Sequence, residues 1–326
     1  MTLSNLTPDS ILEALDEIGI DSDGRLFELN SYENRVYQVG LAGGGSIVAK
    51  FYRPGRWSDA QILEEHAFAA ELVTAGLAVA APEVLAGPPQ VSSGSTLHHR
   101  GSLRFAVFPK LAGRAPELDG ADSLELLGRA LGRLHAVGAA GRFQHRPTLS
   151  SERLGWAARD ALLSSPVVGG VIDEALVDRY AEVSAALLEK IDSALESYGP
   201  WSAIRLHGDC HLGNILWSET GPVFVDLDDC MTGPRIQDLW MLLAGSPDEQ
   251  EGQWQALMRG YRQFHHIDES ERDLIEALRG LRMIHHSAWI AARWDDPAFP
   301  RAFPWFTSGR FWQEHLSDLW QQIEAI

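Results

Sequence analysis

The residues of this chain best suited to chemistry form the pentapeptide His207-Gly208-Asp209-Cys210-His211, within RLHGDCHLGNILW. Its two histidines and its aspartate stand at alternate positions, so a zinc site, a proton-transfer site and a polar turn are all open interpretations. Zinc sites depend on a fourth ligand, or on groups that orient the ligands, and the sequence identifies neither. Most such His-x-Asp pairs only form hydrogen bonds within a turn.

The residues after the pentapeptide favour proton transfer. Asn214 lies five residues after Asp209, and an apolar strand then leads into VFVDLDD, which contains Asp226 and Asp228. Phosphoryl transfer from Mg-ATP needs one carboxylate that accepts a hydroxyl proton, and an amide and a second carboxylate that bind magnesium. This spacing predicts Asp209 as the general base, or as the group that orients the hydroxyl, with Asn214 and one aspartate of VFVDLDD as Mg²⁺ ligands. Asp228 is a further possible ligand, or part of a solvated acidic turn, and the two histidines remain for structural hydrogen bonds.

The elements that must position these residues change in character along the chain. The 326 residues, 45% of them apolar, are enough for two lobes with separate cores. Hydrophobic patterning and turn residues predict strands at 25–29, 35–41, 46–52 and 103–108, and helices at 10–19, 58–76, 123–138, 172–197, 251–264, 270–293 and 310–325. A β island is predicted at 203–206, 214–217 and 222–226. The pattern indicates an α+β protein with a β-rich N-lobe over 1–110 and a mainly helical C-lobe over 111–326.

Composition narrows the possible partners and the compartment. The net charge of −18 disfavours binding to nucleic acid or to an anionic membrane surface. Only two cysteines occur, Cys210 and Cys230, so neither a disulfide framework nor a four-thiolate zinc site is expected. The first residues have no leader pattern, and no window reaches the ~18 apolar residues that span a bilayer. We therefore expect a soluble, cytoplasmic protein.

The HGDxHxxN motif followed by V-D-x-D-D resembles the aminoglycoside phosphotransferase and choline kinase branch of the protein-kinase-like fold. This resemblance implies that Asp226, the first aspartate after the apolar strand, is the preferred Mg²⁺ ligand beside Asn214. The resemblance extends along most of the chain. Taken together, the matching segments are similar to the stress response kinase A family of bacterial Ser/Thr protein kinases. The segments that carry it are NSYENRVYQV, VAKFYRPGRW, QILEEH, FAVFP, LGRLH, HGDCHLGNILW, FVDLDD, GPRIQDLWMLL and DPAFPRAFPW. It implies a bilobal fold with a nucleotide cleft between the lobes, ATP and Mg²⁺ as cofactors, Ser/Thr hydroxyls of proteins as acceptors, a monomer, and a part in stress response.

The same resemblance assigns residues of the N-lobe to the nucleotide. Lys50 ends the apolar run SIVAK and resembles the third-strand lysine of protein kinases, which grips the α- and β-phosphates. Glu65 occupies the position of its partner carboxylate. Glu64 is the rival, because neighbouring residues of a helix point about 100° apart and only one can face the lysine. There is no glycine-rich loop, and the resemblance puts Ser31 and Asn34 at the ATP phosphates instead.

Two other functions remain open at this point. A kinase of the same fold could phosphorylate a small molecule such as an aminoglycoside, choline or homoserine, and an acidic chain suits a cationic sugar as well as a basic peptide. A nucleotide-binding pseudokinase that acts as a scaffold is the third candidate. The presence of all four residues Lys50, Asp209, Asn214 and Asp226 argues against it.

Asp238 is interpreted as the N-cap of an apolar helix that, by resemblance, also supports the catalytic loop.

Overall fold

The computed structural model describes residues 6–84, 94–118, 120–170, 173–198 and 203–326. The chain divides into two compact units. The first comprises Met1–Pro147, Ile204–Met231 and Met241–His266, and the second comprises Thr148–Ala203, Thr232–Trp240 and Ile267–Ile326. Every predicted site residue lies in the first unit. The predicted lobe division at residue 110 stays a prediction.

The first unit is built on a five-stranded antiparallel sheet with the order β1-β2-β3-β5-β4. Its elements are helices α1 (Pro8–Glu17) and α2 (Asp59–Thr74) and strands β1 (Ser22–Leu29), β2 (Arg35–Leu41), β3 (Ser46–Phe51), β4 (His98–Arg100) and β5 (Leu103–Pro109). A short turn that contains Gly43, Gly44 and Gly45 joins β2 to β3. The sheet and the largely helical remainder confirm the predicted α+β class.

Strand β3 shows how the sheet aims Lys50. Side chains alternate between the two faces of a strand, and Ala49 and Phe51 are buried in the core formed with α1. Lys50 therefore faces the other side, where its cross-strand neighbour Ala106 belongs to the core beside α2. The hydrophobic pattern of SIVAKF thus directs the ammonium group toward α2.

Helix α2 begins at a capping box. The Ser58 hydroxyl accepts the backbone N–H of Gln61, and the Gln61 side chain accepts the backbone N–H of Ser58, so two otherwise unpaired donors at the helix start are satisfied. Ile62 and Glu65 both lie on its buried face. This start fixes which of the two adjacent glutamates points inward.

The first unit also contains two long helices, α3 (Ala121–Ala139) and α7 (Pro247–Tyr261), which pack closely on each other. A Cβ atom on Gly128 would lie 2.0 Å from the Leu257 carbonyl oxygen, so this contact requires glycine. The short strands of the β island are β6 (Ile204–Leu206), β7 (Ile215–Ser218), β8 (Gly221–Phe224) and β9 (Met231–Gly233). The first three correspond to the predicted island.

The second unit is mainly helical. Its α-helices are α4 (Ala157–Leu163), α5 (Pro166–Gly169), α6 (Glu174–Tyr198), α8 (Ile275–Ala291), α9 (Ala298–Ala302) and α10 (Gly309–Ala325). Helices α6, α8 and α10 pack on one another, and rings of α10 join an aromatic cluster that includes Trp289, Phe306 and Trp312. Among the described residues, none of the helices contains a hydrophobic stretch of the length that a bilayer span requires.

Several predicted elements differ from the structure. The prediction that Asp238 begins an apolar helix is wrong, because Asp238 ends a 3-10 helix (Arg235–Asp238) and a second 3-10 turn (Trp240–Leu242) follows. The helix predicted over 270–293 starts as a 3-10 turn (Glu269–Leu274) and becomes α-helical only at Ile275. Residue 172, the predicted start of α6, lies outside the described residues. Strand β4 and helix α4 were not predicted.

Candidate active site

The hairpin of β7 and β8 brings the predicted magnesium ligands to one end. Ile215 pairs with Phe224 across the hairpin, and the Asn214 carbonyl accepts the Val225 N–H at 3.0 Å. Asn214 therefore lies beside the residue that precedes Asp226. Its side-chain Nδ2 donates to the Asp209 carbonyl oxygen at 3.0 Å. One short hairpin thus joins the proposed base to both proposed ligands.

Asp226 has an unusual backbone. Its φ of 57° and ψ of 64° are left-handed, and among the described residues it is the only non-glycine with positive φ. Aspartate tolerates this conformation better than most residues, and such conformations cluster at functional sites. The Asp226 side chain is 48% exposed, and the following 3-10 turn (Leu227–Asp229) folds the chain back. The turn leaves this carboxylate accessible at the end of the hairpin.

The structure explains why the middle residue of the HGD motif, Gly208, is a glycine. Its φ is +89°, and a Cβ atom there would lie 2.1 Å from the Asp229 carbonyl oxygen. Both the left-handed backbone and the close approach exclude a side chain. His207 is fully buried, and its Nε2 donates to the Val225 carbonyl at 3.0 Å. The motif is therefore fixed against the loop that carries Asp226.

The zinc interpretation of the pentapeptide finds no support in this geometry. His207 Nε2 is hydrogen-bonded to a carbonyl, and His211 Nδ1 accepts the Gly213 N–H at 2.9 Å. Within the described residues, no three or more His, Cys, Asp or Glu side chains form a group that could hold a metal ion. The histidines act as framework for the loop.

Lys50 is the cation at the centre of the site. Its Nζ lies 3.0 Å from Asp228 Oδ1, 3.1 Å from Asp226 Oδ1 and 3.7 Å from Glu65 Oε1. Burial would by itself lower the pKa of Lys50, but the charges of Asp226, Asp228 and Glu65 outweigh burial and raise that pKa well above its usual value. The ammonium group therefore stays charged although only 6% of the residue is exposed.

The structure distinguishes the two adjacent glutamates. Glu65 is buried beside Lys50, whereas the Glu64 carboxylate accepts backbone N–H groups of residues 144, 145 and 146 at 2.5–2.7 Å. Burial, opposed by Lys50 and reinforced by Asp228, raises the pKa of Glu65 to about 7. For Glu64, burial alone would raise the pKa, but the three backbone donors outweigh it and lower the pKa. The lysine partner is thus Glu65, and Glu64 anchors a loop.

Asp228 is a buried anchor rather than an open ligand. It is 2% exposed, and its Oδ2 accepts from the Arg56 guanidinium and from Asn34 Nδ2, the latter at 3.2 Å. Burial would raise the pKa of Asp228, but Lys50 and Arg56 outweigh burial and lower it. These contacts make Asp228 part of the buried charge network around Lys50, and the second-ligand role considered for it stays a prediction.

Two arginines of the site were not identified from the sequence. Arg56 bridges Asp228 and Asp229, and Arg146 donates to the carbonyl oxygens of Asp228 and Cys230 at 2.5 and 2.9 Å. Arg56 lies inside the segment VAKFYRPGRW, which carries the family resemblance, so the sequence contained a signal for this residue. Arg146 precedes a proline outside every segment that carries the family resemblance, and only the fold brings it to the site.

The loop between β1 and β2 contains the two residues predicted at the ATP phosphates. Asn34 is 2% exposed, and its Oδ1 accepts the Arg53 N–H at 3.1 Å while its Nδ2 donates to Asp228. Both ends of its amide are thus engaged inside the protein. Ser31 is half-buried in the same loop. The phosphate-binding roles of Ser31 and Asn34 stay predictions.

Comparison with known proteins identifies the family of this chain. The model of the phosphotransferase enzyme family, APH, matches residues 26–279. The chain belongs to this family. Stress response kinase A of Escherichia coli is 42% identical over 325 residues, which cover all of this chain and 95% of that protein. A relative from Salmonella typhimurium, named serine/threonine protein kinase RdoA, is 41% identical over 330 residues with the same coverage.

The phosphotransferase family also accounts for the fold. An amicoumacin kinase solved with AMP-PNP, Ca²⁺ and its ligand has a TM-score of 0.72 at 17% identity, and covers 97% of this chain and 95% of its own. Spectinomycin phosphotransferase, solved with ADP and spectinomycin, has a TM-score of 0.66 at 15% identity, with coverage of 99% and 100%. These likenesses show the kinase-like fold, as predicted. The predicted resemblance to stress response kinase A is confirmed, and the chain is a kinase-type phosphotransferase, for which a nucleotide donor is implied.

Proposed function

We propose that this chain is an ATP- and Mg²⁺-dependent protein kinase that phosphorylates Ser/Thr hydroxyls. One observation carries the proposal: the β7–β8 hairpin joins Asp209, Asn214 and Asp226, and buried Lys50 lies 3.1 Å from Asp226. These are the groups that phosphoryl transfer needs, namely a base, oxygen ligands and a phosphate-binding cation. The name of the relatives also supports a part in stress response.

The donor set fits magnesium. Mg²⁺ prefers oxygen ligands, and the accessible Asp226 carboxylate supplies one. Asn214 donates from Nδ2 to the Asp209 carbonyl, so its Oδ1 is the amide atom that remains for a cation. When bound, the ion neutralises charge on the transferring phosphate. Asp226 and Asn214 would hold it.

The remaining side chains have complementary roles. Asp209 would accept the proton of the attacking hydroxyl, and Lys50 would bind phosphate oxygens with its ammonium group. Glu65 and Asp228 keep that ammonium group in position and charged. Gly208 and His207 hold the Asp209 loop against the Asp226 loop, so the base and the metal ligands keep a fixed geometry.

A protein acceptor is favoured over a small molecule. The relatives that cover the whole chain at 41–42% identity are named stress response kinase A and serine/threonine protein kinase. The small-molecule kinases resemble it at 15–17% identity, which is enough for a common fold only.

The test is transfer of labelled phosphate from ATP with Mg²⁺ to the full chain alone, to basic and neutral protein substrates, and to aminoglycoside, choline and homoserine. We expect label on protein Ser/Thr, with turnover reduced about 10²–10⁴-fold in Asp209→Asn. Glu219→Gln, an exposed carboxylate on the β7–β8 turn, is the matched control and should keep wild-type turnover.

Two outcomes contradict the proposal. Efficient transfer to a small alcohol without any transfer to protein would reassign the acceptor. Incorporation that does not exceed background with any acceptor, in wild type as in Asp209→Asn, would instead support the scaffold interpretation.

A further inference from the structure

His211 begins the 3-10 turn Leu212–Asn214, and its ring faces two partners. Its Nδ1 accepts the Gly213 N–H at 2.9 Å, as the cap of that turn. A ring nitrogen that accepts a hydrogen bond carries no proton, so a neutral His211 has its proton on Nε2. The turn therefore fixes the tautomer of the ring.

The other ring nitrogen faces the proposed base. His211 Nε2 lies 3.4 Å from Asp209 Oδ2. The proton-bearing atom is thus the ring nitrogen that lies near a carboxylate oxygen of Asp209. The side chains of both residues are partly exposed, at 36% and 25%, so the pair is accessible to solvent.

Gly213 provides the room for this ring. A Cβ atom on Gly213 would lie 2.7 Å from Cε1 and 2.9 Å from Nδ1 of His211. These distances are shorter than van der Waals contact allows, so any side chain at this position would push the ring away. The glycine inside HLGN is therefore part of the arrangement that aims His211 at Asp209.

We propose that His211 is a positioning residue that orients the Asp209 carboxylate for the acceptor hydroxyl. The inference rests on the proposed function, in which Asp209 accepts the hydroxyl proton. The Nε2–H group holds Oδ2 and thereby sets the direction in which the other oxygen of the carboxylate faces. His211 acts through Asp209 and does not itself touch ATP or the metal. A purely structural role would instead depend only on the bond between Nδ1 and Gly213.

Two substitutions separate these roles. In His211→Asn, the Asn oxygen replaces Nδ1 as the cap acceptor, but no donor reaches Asp209. In His211→Gln, the amide nitrogen replaces Nε2 as the donor, but the cap is lost. We expect kcat to fall about 10- to 100-fold in His211→Asn, the range for loss of a hydrogen bond to a charged group, with an unchanged KM for ATP. His211→Gln should recover most of the lost kcat.

Gly213→Ala tests the same contact without changing the histidine. It should lower kcat because the ring is displaced, and combining it with His211→Asn should cause little further loss. Thermal unfolding and AMP-PNP binding, measured for every variant, identify any loss that comes from misfolding. Wild-type kcat in His211→Asn, equal losses in His211→Asn and His211→Gln, or additive losses in the double variant would each overturn the inference.

The Asp209→Asn variant distinguishes a failure of this inference from a failure of the proposed function. If Asp209→Asn is inactive but His211→Asn is fully active, only the positioning role fails. If Asp209→Asn keeps wild-type kcat, Asp209 is not the base and both proposals fail together.

Discussion

Replacement of Glu65 by Gln should change the pH dependence of stability in a direction opposite to the usual effect of breaking an ion pair. Glu65 is 3% exposed, and Lys50 is its nearby cation at 3.7 Å. The same ammonium lies closer to Asp226 and Asp228, at 3.1 and 3.0 Å. Because Lys50 is shared among three carboxylates, it compensates the burial of Glu65 only in part. Its two closer partners remain after the substitution, so the variant does not leave the lysine unpaired.

The size of the stability difference between Glu65→Gln and wild type depends on the pKa of Glu65. Burial, opposed by Lys50, raises that pKa from an ordinary 4.5 to about 7. Between these two values the native state binds more protons than the unfolded state, so stability falls as pH rises. Across the pH range from 4.5 to about 7, wild type loses about 3 kcal/mol of unfolding free energy through this one group. Gln is neutral throughout, so Glu65→Gln should gain most of that amount relative to wild type between pH 5 and pH 8.

The assay is urea unfolding of both proteins at pH 5, 6, 7 and 8, followed by fluorescence of tryptophans such as buried Trp57 in the same unit. Glu64→Gln is the matched control, one residue away on the same helix. The three backbone N–H groups that bind Glu64 outweigh its burial and lower its pKa, so the stability that this carboxylate contributes is lost only below pH 4.5. The difference between Glu64→Gln and wild type should therefore stay flat from pH 5 to pH 8.

The opposite slope would refute the reasoning. If Glu65→Gln loses stability relative to wild type as pH rises from 5 to 8, attraction to Lys50 exceeds the cost of burial and Glu65 is ionised throughout. A slope of equal size in Glu64→Gln would show that the effect is not specific to the buried glutamate.

Two further predictions concern stability and reactivity. Gly208→Ala should lower the free energy of unfolding by about 2 kcal/mol or more, because the new Cβ meets the Asp229 carbonyl at 2.1 Å on a left-handed backbone; urea unfolding measures this, and an unchanged midpoint would contradict it. Cys210 and Cys230 are both buried, and burial raises the pKa of the Cys230 thiol. A disulfide reagent at pH 8 should therefore modify these two thiols rapidly only after denaturant is added. Rapid labelling of the native protein would contradict this, since it would show that the segments around Cys210 and Cys230 open to solvent.

Much of the site could be predicted from residue types and spacing. The interval from Asp209 to Asn214 and the aspartates after an apolar strand indicated phosphoryl transfer, because few other chemistries need those oxygens in that order. Alternation in SIVAKF was enough to turn Lys50 away from the core beside α1. The choice of Glu65 over Glu64, made through the family resemblance, agrees with the contact to Lys50.

Other features depend on contacts between segments far apart in the chain. Arg146 reaches the Asp228 carbonyl across 82 residues, and Asn34 reaches the Asp228 side chain across 194. Local patterns carry no signal for such pairs, so the contact between Asn34 and Asp228 and the position of Arg146 could not be predicted from the sequence. The helix expected at Asp238 is two 3-10 turns for a similar reason, since an apolar run fits either form until packing selects one.

The sequence by itself determined which groups are available for the proposed chemistry, namely Lys50, Asp209, Asn214 and Asp226 at their intervals along the chain. The tertiary structure decided how those groups are held. It buried Asp228 as an anchor between Lys50 and Arg56, and it turned Asp226 outward through a left-handed backbone. The physical reason is that charge and hydrogen bonding are properties of single residues, whereas burial and the pKa values that result from it arise only when distant segments exclude water together.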